Sequence, residues 1–285
     1  MIREAEIRRI AATKKVDPMV IDLDYSLSWI LLGMKNMSSN MLGLIFKGGT
    51  CLRKCYFPDY RFSEDLDFTA SAPLSVSSIK NLIENSFEWV REHDGPNFTI
   101  QPLKFENIDD ENGKESYQIR GYYRGPLNWG GSPRSIKLDV TRAEEVLLPP
   151  VDRKIFHPYS DEGTFEMLEL SCYSLEEVMA EKIRAIGGPR RFAISRDLYD
   201  IYNLLDADVN LDAVNQILPE KFRSKGLDLR AVNVRSLENR YSEFEHDWNR
   251  RLNYLISAEE SEFVDVWHRV IRLFQEWSNY SDQKE

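Results

Sequence analysis

The spacing of hydrophobic and polar residues changes about halfway along the chain. In the first part, apolar residues at helical spacing predict helices over residues 2–12, 18–37 and 75–93, and a short helix from residue 50. Alternating or continuous apolar runs predict strands over residues 42–46, 65–70, 98–105, 117–123 and 135–141. This mixture predicts an α+β sheet domain.

Beyond Pro149 and Pro150 the pattern becomes helical. A 3.6-residue period predicts helices over residues 174–186, 195–205, 211–222, 237–256 and 261–277. We therefore expect two lobes, a mixed-sheet lobe over residues 1–165 and a helical lobe over residues 166–285.

Composition limits the class of protein. Hydrophobic residues make up 42% of the 285 residues and charged residues 29%, which is typical of a packed globular protein. The charged N-terminus and the short apolar runs predict no membrane role. Three cysteines cannot form an even disulfide framework, and Cys51 and Cys55 lack the spacing of a zinc site, which favours a reducing, cytoplasmic setting.

The net charge of −10 disfavours general binding of nucleic acid, because phosphate contacts need lysine and arginine. An RNA substrate would therefore need a local basic patch. The densest candidate set is Arg184, Arg190, Arg191 and Arg196.

A hydrophobic strand that runs into a double glycine is the first candidate for chemistry. Gly48 and Gly49 follow the apolar run, and a helix is predicted to begin at Thr50. Backbone N–H groups at such a turn suit an anionic phosphate. The alternative is an ordinary glycine turn with Thr50 as the N-cap.

Carboxylates on two predicted strands are the second candidate. Asp65 and Asp67 alternate with apolar residues, so both carboxylates point to one face of their strand. Their repulsion favours a bound cation, and Mg²⁺ fits because it prefers oxygen ligands and substrate phosphates. A solvated strand face is the alternative. Lys137 and Asp139 repeat the geometry, and three carboxylates beside a Gly-Gly turn indicate two-metal phosphoryl transfer.

Taken in order, short motifs between residues 44 and 206 resemble those of a known family. The chain is similar to the AbiEii/AbiGii-type nucleotidyltransferase toxins, a branch of the DNA polymerase β-like superfamily. The resemblance lies in Gly-Gly-Thr at 48–50, Arg-Phe-Ser-Glu-Asp-Leu-Asp-Phe at 61–68, Lys-Leu-Asp at 137–139, Glu-Lys-Ile-Arg-Ala at 181–185 and Arg-Asp-Leu-Tyr-Asp at 196–200. It implies a polymerase β-like mixed sheet with flanking helices and a C-terminal helical lobe.

The resemblance also implies an activity. It implies a Mg²⁺-dependent enzyme of a toxin–antitoxin or phage-defence module, which transfers a nucleoside monophosphate from a nucleoside triphosphate to an acceptor. For some members of the family that acceptor is the 3′ end of tRNA, which is the acceptor we expect here. A cognate antitoxin protein encoded alongside would be its partner. Two alternatives stay open: transfer to a protein or a small molecule, and a nucleotide-binding defence module without turnover.

Roles for individual residues follow from the same resemblance. The metal ligands would be Asp65, Asp67 and Asp139. The catalytic residues would be Ser63, Asp65, Asp67, Lys182 and Asp197, and the nucleotide would contact Lys47, Gly48, Gly49, Thr50, Ser63 and Lys182. Additional candidates are Lys137, Arg196 and Asp200, and the acid from the helical lobe is Asp197 or Asp200, with Asp197 favoured.

Lys182 has a structural alternative, because it interrupts an apolar helix face. Its stem could extend over the edge of the core and bring the ammonium to Glu181 or Glu177.

Residues of the next predicted helix have structural alternatives too. Ser195 could be its N-cap, with Asp197 stabilised in the first turn by the helix dipole. Arg196 and Asp200 could form a surface ion pair, since they are four residues apart.

Overall fold

Backbone contacts divide the chain into two units, residues 1–144 with 150–172, and residues 145–149 with 173–285. The structure is a computed structural model that describes residues 1–109, 115–128, 130–142, 144–189, 192–256 and 262–282. The division differs from a boundary at residue 165, because a strand at Glu169–Cys172 belongs to the sheet of the first unit.

The described part of the first unit contains a seven-stranded mixed sheet. Its strands are β1 (Leu44–Lys47), β2 (Asp65–Ala70), β3 (Lys104–Asp109), β4 (Glu115–Tyr123), β5 (Arg134–Thr141), β6 (Val151–Lys154) and β7 (Glu169–Cys172). Their order across the sheet is β3-β4-β5-β2-β1-β7-β6. β2 pairs with β5, and β1 with β7, in parallel, whereas the other neighbours are antiparallel. The predicted α+β class is therefore confirmed.

Four helices of the first unit flank this sheet among the described residues: α1 (Glu4–Lys14), α2 (Pro18–Met37), α3 (Gly48–Cys51) and α4 (Val76–Glu92). The α2 helix begins as its sequence predicts, with Pro18 in the first turn and the Asp17 carboxylate accepting the Met19 N–H at 2.7 Å. It packs against α1 and α4. Residues 21–34 in its middle are all buried, including four polar side chains: Asp22, Asp24, Ser26 and Ser28.

A buried charged network fixes the chain that follows α3. The Asp24 carboxylate in α2 accepts hydrogen bonds from Arg53 Nε at 2.7 Å, Lys54 Nζ at 2.6 Å and the Tyr159 hydroxyl at 2.7 Å. All four side chains are buried. Burial favours the neutral acid, but the charges of Arg53 and Lys54 hold the pKa of Asp24 well below its ordinary value.

The sheet differs from the sequence prediction in two places. The strand predicted over residues 98–105 is wrong for most of its length, since β3 begins at Lys104. Phe98 is instead buried beside the isolated bridge of Asn97 to Arg124. β6 and β7 were not predicted, because each spans only four residues and β6 is mostly exposed and polar.

The second unit is helical. Its described helices are α5 (Leu175–Gly187), α6 (Ser195–Leu204), α7 (Leu211–Arg223), α8 (Val234–Glu238), α9 (Tyr241–Asp247) and α10 (Phe263–Asp282). The α5 helix packs against α6 and α7, and α10 packs against α6. The single helix predicted over residues 237–256 is wrong: the chain turns between α8 and α9 and continues in a π-helical turn, Trp248–Leu252. No glycine or proline marks that break, so the apolar period runs through it.

A buried ion pair anchors residues 145–149 to the second unit. Lys221 Nζ in α7 lies 2.5 Å from Glu177 Oε1 in α5 and donates to the Glu145 carbonyl at 2.8 Å. The Glu177 carboxylate accepts the N–H groups of Leu147 and Leu148, both at 3.0 Å. Across the residues that the structure describes, we find no helix both long and apolar enough to span a bilayer.

Candidate nucleotide and metal site

Strand pairing places the three predicted metal-binding aspartates on one face of two neighbouring strands. In the parallel pair of β2 and β5, Asp67 lies opposite Asp139 and Asp65 lies opposite Lys137. Residues that pair in this way point to the same face of the sheet. Leu66, between the two aspartates of β2, is fully buried on the other face. The alternation predicted for both strands is therefore present.

The Gly-Gly turn meets the same carboxylates. Lys47, the last residue of β1, lies opposite Asp67. Gly48 has a φ of +78°, and a Cβ atom at this position would collide with the Asp67 carboxylate. Position 48 therefore requires glycine for its backbone conformation and for the close approach of Asp67.

A buried arginine lies on the other side of the turn. A Cβ atom at Gly49 would collide with the Arg61 guanidinium, which also donates to the Phe62 carbonyl at 3.2 Å. Arg61 is only 2% exposed, and Ser63, two residues before Asp65, is also buried. The turn thus has a carboxylate beside Gly48 and a positive charge beside Gly49.

Thr50 and Lys47 have partners within the first unit. The Thr50 hydroxyl donates to the backbone carbonyl of Asp65, which ties the turn to β2. Thr50 is not the N-cap, since α3 begins at Gly48 with Lys47 in the capping position. The Lys47 ammonium forms a nearly buried ion pair with Glu144.

The ammonium group of Lys137 already provides a positive charge beside the aspartates. Lys137 Nζ is 2.5 Å from Asp139 Oδ2, and Gln118 Nε2 donates to Asp139 Oδ1 at 3.1 Å. Burial works against the charged lysine, but the hydrogen bond and charge of Asp139, with the charges of Asp65 and Asp67, raise the pKa of Lys137. An all-oxygen donor set that attracts a cation fits Mg²⁺. Asp139 would bind the ion after exchanging its contacts with Lys137 and Gln118.

The second unit contains its own charged cluster. Lys182 Nζ donates to Asp197 Oδ1 at 2.6 Å and lies 2.9 Å from Asp200 Oδ2. Asp200 is completely buried, so the idea that it belongs to a surface ion pair is wrong. Glu177, one acid considered as a partner of Lys182, is paired with Lys221.

Ser195 is the first residue of α6. The alternative in which Ser195 is the N-cap of this helix is therefore wrong. Its N–H and its hydroxyl both donate to Asp247 Oδ2, at 2.8 Å and 2.7 Å. The carboxylate of Asp247, at the end of α9, thus takes the capping role that Ser195 was predicted to have.

The arginine set is only partly described. Arg184 and Arg196 are of intermediate exposure, whereas Arg190 and Arg191 lie outside the described residues.

Three residues around the first cluster were not predicted: Arg61, Gln118 and Glu144. Arg61 is part of the Arg-Phe-Ser-Glu-Asp motif, and Gln118 alternates with apolar residues of β4, so both carried a weak signal. Glu144 follows β5 in an irregular segment, where no periodicity applies.

Comparison with known proteins places this arrangement in a family. Residues 31–276 match the family described as nucleotidyl transferase AbiEii toxin, type IV TA system. A similar solved structure is MenT4, a nucleotidyltransferase toxin from Mycobacterium tuberculosis H37Rv, with 20% identity and a TM-score of 0.56 over 98% of this chain and 99% of that chain. That likeness confirms the fold class. No curated protein matches this chain in sequence. The chain belongs to the AbiEii family of nucleotidyltransferase toxins of type IV toxin–antitoxin systems.

Proposed function

We propose that this protein transfers a nucleoside monophosphate from a nucleoside triphosphate to the 3′ end of tRNA, with Mg²⁺ bound by Asp65, Asp67 and Asp139. The main support is the register that sets Asp67 opposite Asp139 and against Gly48. Carboxylates and the backbone of a glycine turn thereby face one another, which suits an ion and the phosphates that it carries.

Different residues of the first unit bind the metal ion and the triphosphate in this proposal. Bound Mg²⁺ would neutralise triphosphate charge and lower the pKa of the attacking hydroxyl. Asp65 and Asp67 hold the ion, and the backbone N–H groups of Gly49 and Thr50 orient the phosphates. Arg61 adds a buried positive charge at the same turn, and Ser63 lies just before the metal-binding strand.

Lys137 balances the three carboxylates before substrate binds, as its contact with Asp139 supports. Lys47 also contributes to nucleotide binding in this proposal, and Glu144 orients its ammonium.

For the second unit, we assign to Lys182 a contribution of positive charge to nucleotide use. Asp197 and Asp200 both hold its ammonium and therefore fix its direction. Asp197 is 6% exposed and Asp200 is 0% exposed, so Asp197 is the better candidate for an acid that meets substrate. Arg196, beside it in the first turn of α6, is an additional candidate for phosphate contact.

Membership of a type IV toxin–antitoxin family implies an antitoxin partner. The tRNA acceptor, the Mg²⁺ dependence, the cytoplasmic setting and a role in phage defence belong to the proposal. The motifs support the acceptor and the defence role, the oxygen ligands support Mg²⁺, and the odd number of cysteines supports the cytoplasmic setting.

The test uses four α-³²P-labelled nucleoside triphosphates, Mg²⁺ and tRNA with either an intact or a periodate-oxidised 3′ end. We expect label on intact tRNA with a preferred nucleotide, no label on oxidised tRNA, and none when EDTA removes the metal. Label on protein or on a small molecule would instead support the alternative acceptors. Absence of transfer with every nucleotide would favour the non-catalytic alternative.

A further inference from the structure

Three cysteines with no part in the proposed reaction meet in the core of the first unit. Cys51 ends α3, Cys55 lies one turn later, and Cys172 ends β7. Their Sγ atoms all lie within 4.8 Å of one another, and the described residues contain no other set of three cysteine, histidine or carboxylate side chains with ligand atoms this close. The three are free thiols, between 0% and 3% exposed.

The backbone holds the three thiols in place without a ligand. Cys172 lies opposite Phe46 in the parallel pair of β1 and β7, close to the start of α3. Cys51 and Cys55 are four residues apart on a helical turn, so their side chains share one face. Lys54, beside Cys55, is fixed by its ion pair with Asp24. A cation would therefore find its ligands already assembled.

The surroundings act differently on the three thiols: the pKa of Cys55 is lowered, and those of Cys51 and Cys172 are raised. Hydrogen bonds from Cys172 and Cys51, together with the charges of Lys54 and Arg153, lower the pKa of the Cys55 thiol. Burial raises the pKa of the Cys51 thiol.

We propose that Cys51, Cys55 and Cys172 form a three-coordinate site for a soft monovalent cation of the Cu⁺ class. Ligands that are all sulfur select soft ions, chiefly Cu⁺ and Zn²⁺. A structural Zn²⁺ site takes four ligands. The described residues place no histidine or carboxylate with the three thiols, and their burial restricts access of water.

The dimensions agree with three-fold coordination. With metal–sulfur bonds of about 2.3 Å, three sulfurs around one ion lie about 4 Å apart, which is inside the observed limit of 4.8 Å. Each thiol that binds gives its proton to solvent, so binding is accompanied by proton release. The ion would link the end of α3 and the helical turn after it to the end of β7.

The test titrates the reduced, full-length protein with Cu⁺ under anaerobic conditions, in competition with the chromophoric chelator bathocuproine disulfonate. We expect one equivalent of Cu⁺ to be retained with release of protons. Cys55→Ser and Cys172→Ser should each lower the apparent affinity at least tenfold. Met167→Leu, which removes a thioether that is 87% exposed, is the control and should bind as the wild type does.

A measurement on the wild type covers the case in which these variants fail to fold. X-ray absorption of the Cu⁺-loaded protein should show three sulfur ligands at one distance and no nitrogen or oxygen ligand. The proposal is overturned if the chelator removes all Cu⁺, if folded cysteine variants bind unchanged, or if the bound ion has four ligands. None of these results bears on nucleotide transfer, so the two proposals can fail separately.

Discussion

Asp67 connects the parts of the candidate site, since it faces Lys47 on one neighbouring strand, Asp139 on the other and Gly48 at the turn. We expect Asp67→Asn to lower kcat by a factor of about 100 to 1000, because a metal-binding charge is lost at a centre where charge stabilisation is worth about 3–4 kcal/mol. Stability should be unchanged or higher, since a repulsive charge is removed.

The measurements for Asp67→Asn are nucleotide transfer and urea unfolding. The matched control is Asp59→Asn, which removes an exposed carboxylate paired with Lys14 on the surface of the same unit. It should leave kcat unchanged. A folded Asp67→Asn protein as active as this control would contradict the metal assignment.

Lys182 combines a proposed role in nucleotide use with a structural role. Lys182→Met removes the ammonium from two buried carboxylates, so we expect stability to fall by about 3–5 kcal/mol and kcat/KM for the nucleotide to fall as well. The double variant Lys182→Met with Asp200→Asn should recover part of the stability, because one buried charge is gone, but none of the activity. Chemical unfolding and transfer assays separate the two effects, and recovery of both together would show that Lys182 is only structural.

The sequence alone predicted those parts of the site whose residues follow a regular local spacing. The Gly-Gly-Thr turn is a contiguous motif, and the two acidic strands alternate with a period of two. The side chains of these strands occupy the expected faces. Arg61 and Glu144 could not be assigned in that way, because their positions depend on how loops fold back on the sheet. Which aspartates and lysines act in catalysis stays a prediction.

At the scale of elements, the Asp24 network holds α2 against the chain after the Gly-Gly turn. Asp24→Asn leaves Arg53 and Lys54 buried without their counter-charge, and we expect it to cost about 3–5 kcal/mol at pH 7. Because the pKa of Asp24 is lowered in the folded protein, its contribution is complete above pH 3.8, the ordinary value, and is lost as the pH falls toward the lowered pKa.

Urea unfolding at several pH values tests this claim. The difference in the free energy of unfolding between wild type and Asp24→Asn should be constant from pH 7 to about pH 5 and shrink as the solution becomes more acidic. Asp17→Asn, which alters a solvent-exposed helix cap, should show a smaller difference. A gap that widens at low pH would contradict the sign of the pKa shift.

Long periodic elements were predicted well, and short or interrupted ones were not. The bounds of α2 and β2 agree with the sequence prediction, because α2 has a clear start at Asp17 and Pro18 and β2 alternates between polar and apolar residues. β6 and β7 depend on pairing with distant strands, and the break between α8 and α9 has no local marker. These features are set by tertiary contacts that a local pattern does not contain.

At the scale of the whole molecule, a net charge of −10 restricts how RNA could bind. If tRNA is the acceptor, neutralising Arg190 and Arg191 together should make the slope of log affinity against log salt shallower by about 1.4, or 0.7 for each lost phosphate contact. Nucleotide binding without acceptor should not change. Arg8→Gln, from an exposed pair with Glu4, is the control. An unaltered slope, or no RNA affinity at low salt, would favour a protein or small-molecule acceptor.

The most direct test of nucleotidyl transfer follows both ends of the same substrate. The preferred nucleoside triphosphate is supplied with ³²P at either the α or the γ position, and acceptor and released phosphates are separated after reaction with the wild type and with Asp67→Asn. We predict that α-label appears on the acceptor and γ-label in pyrophosphate, in equal amounts, and that both signals are lost together in the variant. Transfer of γ-label to the acceptor, or release of γ-label as inorganic phosphate without α-label transfer, would contradict the account.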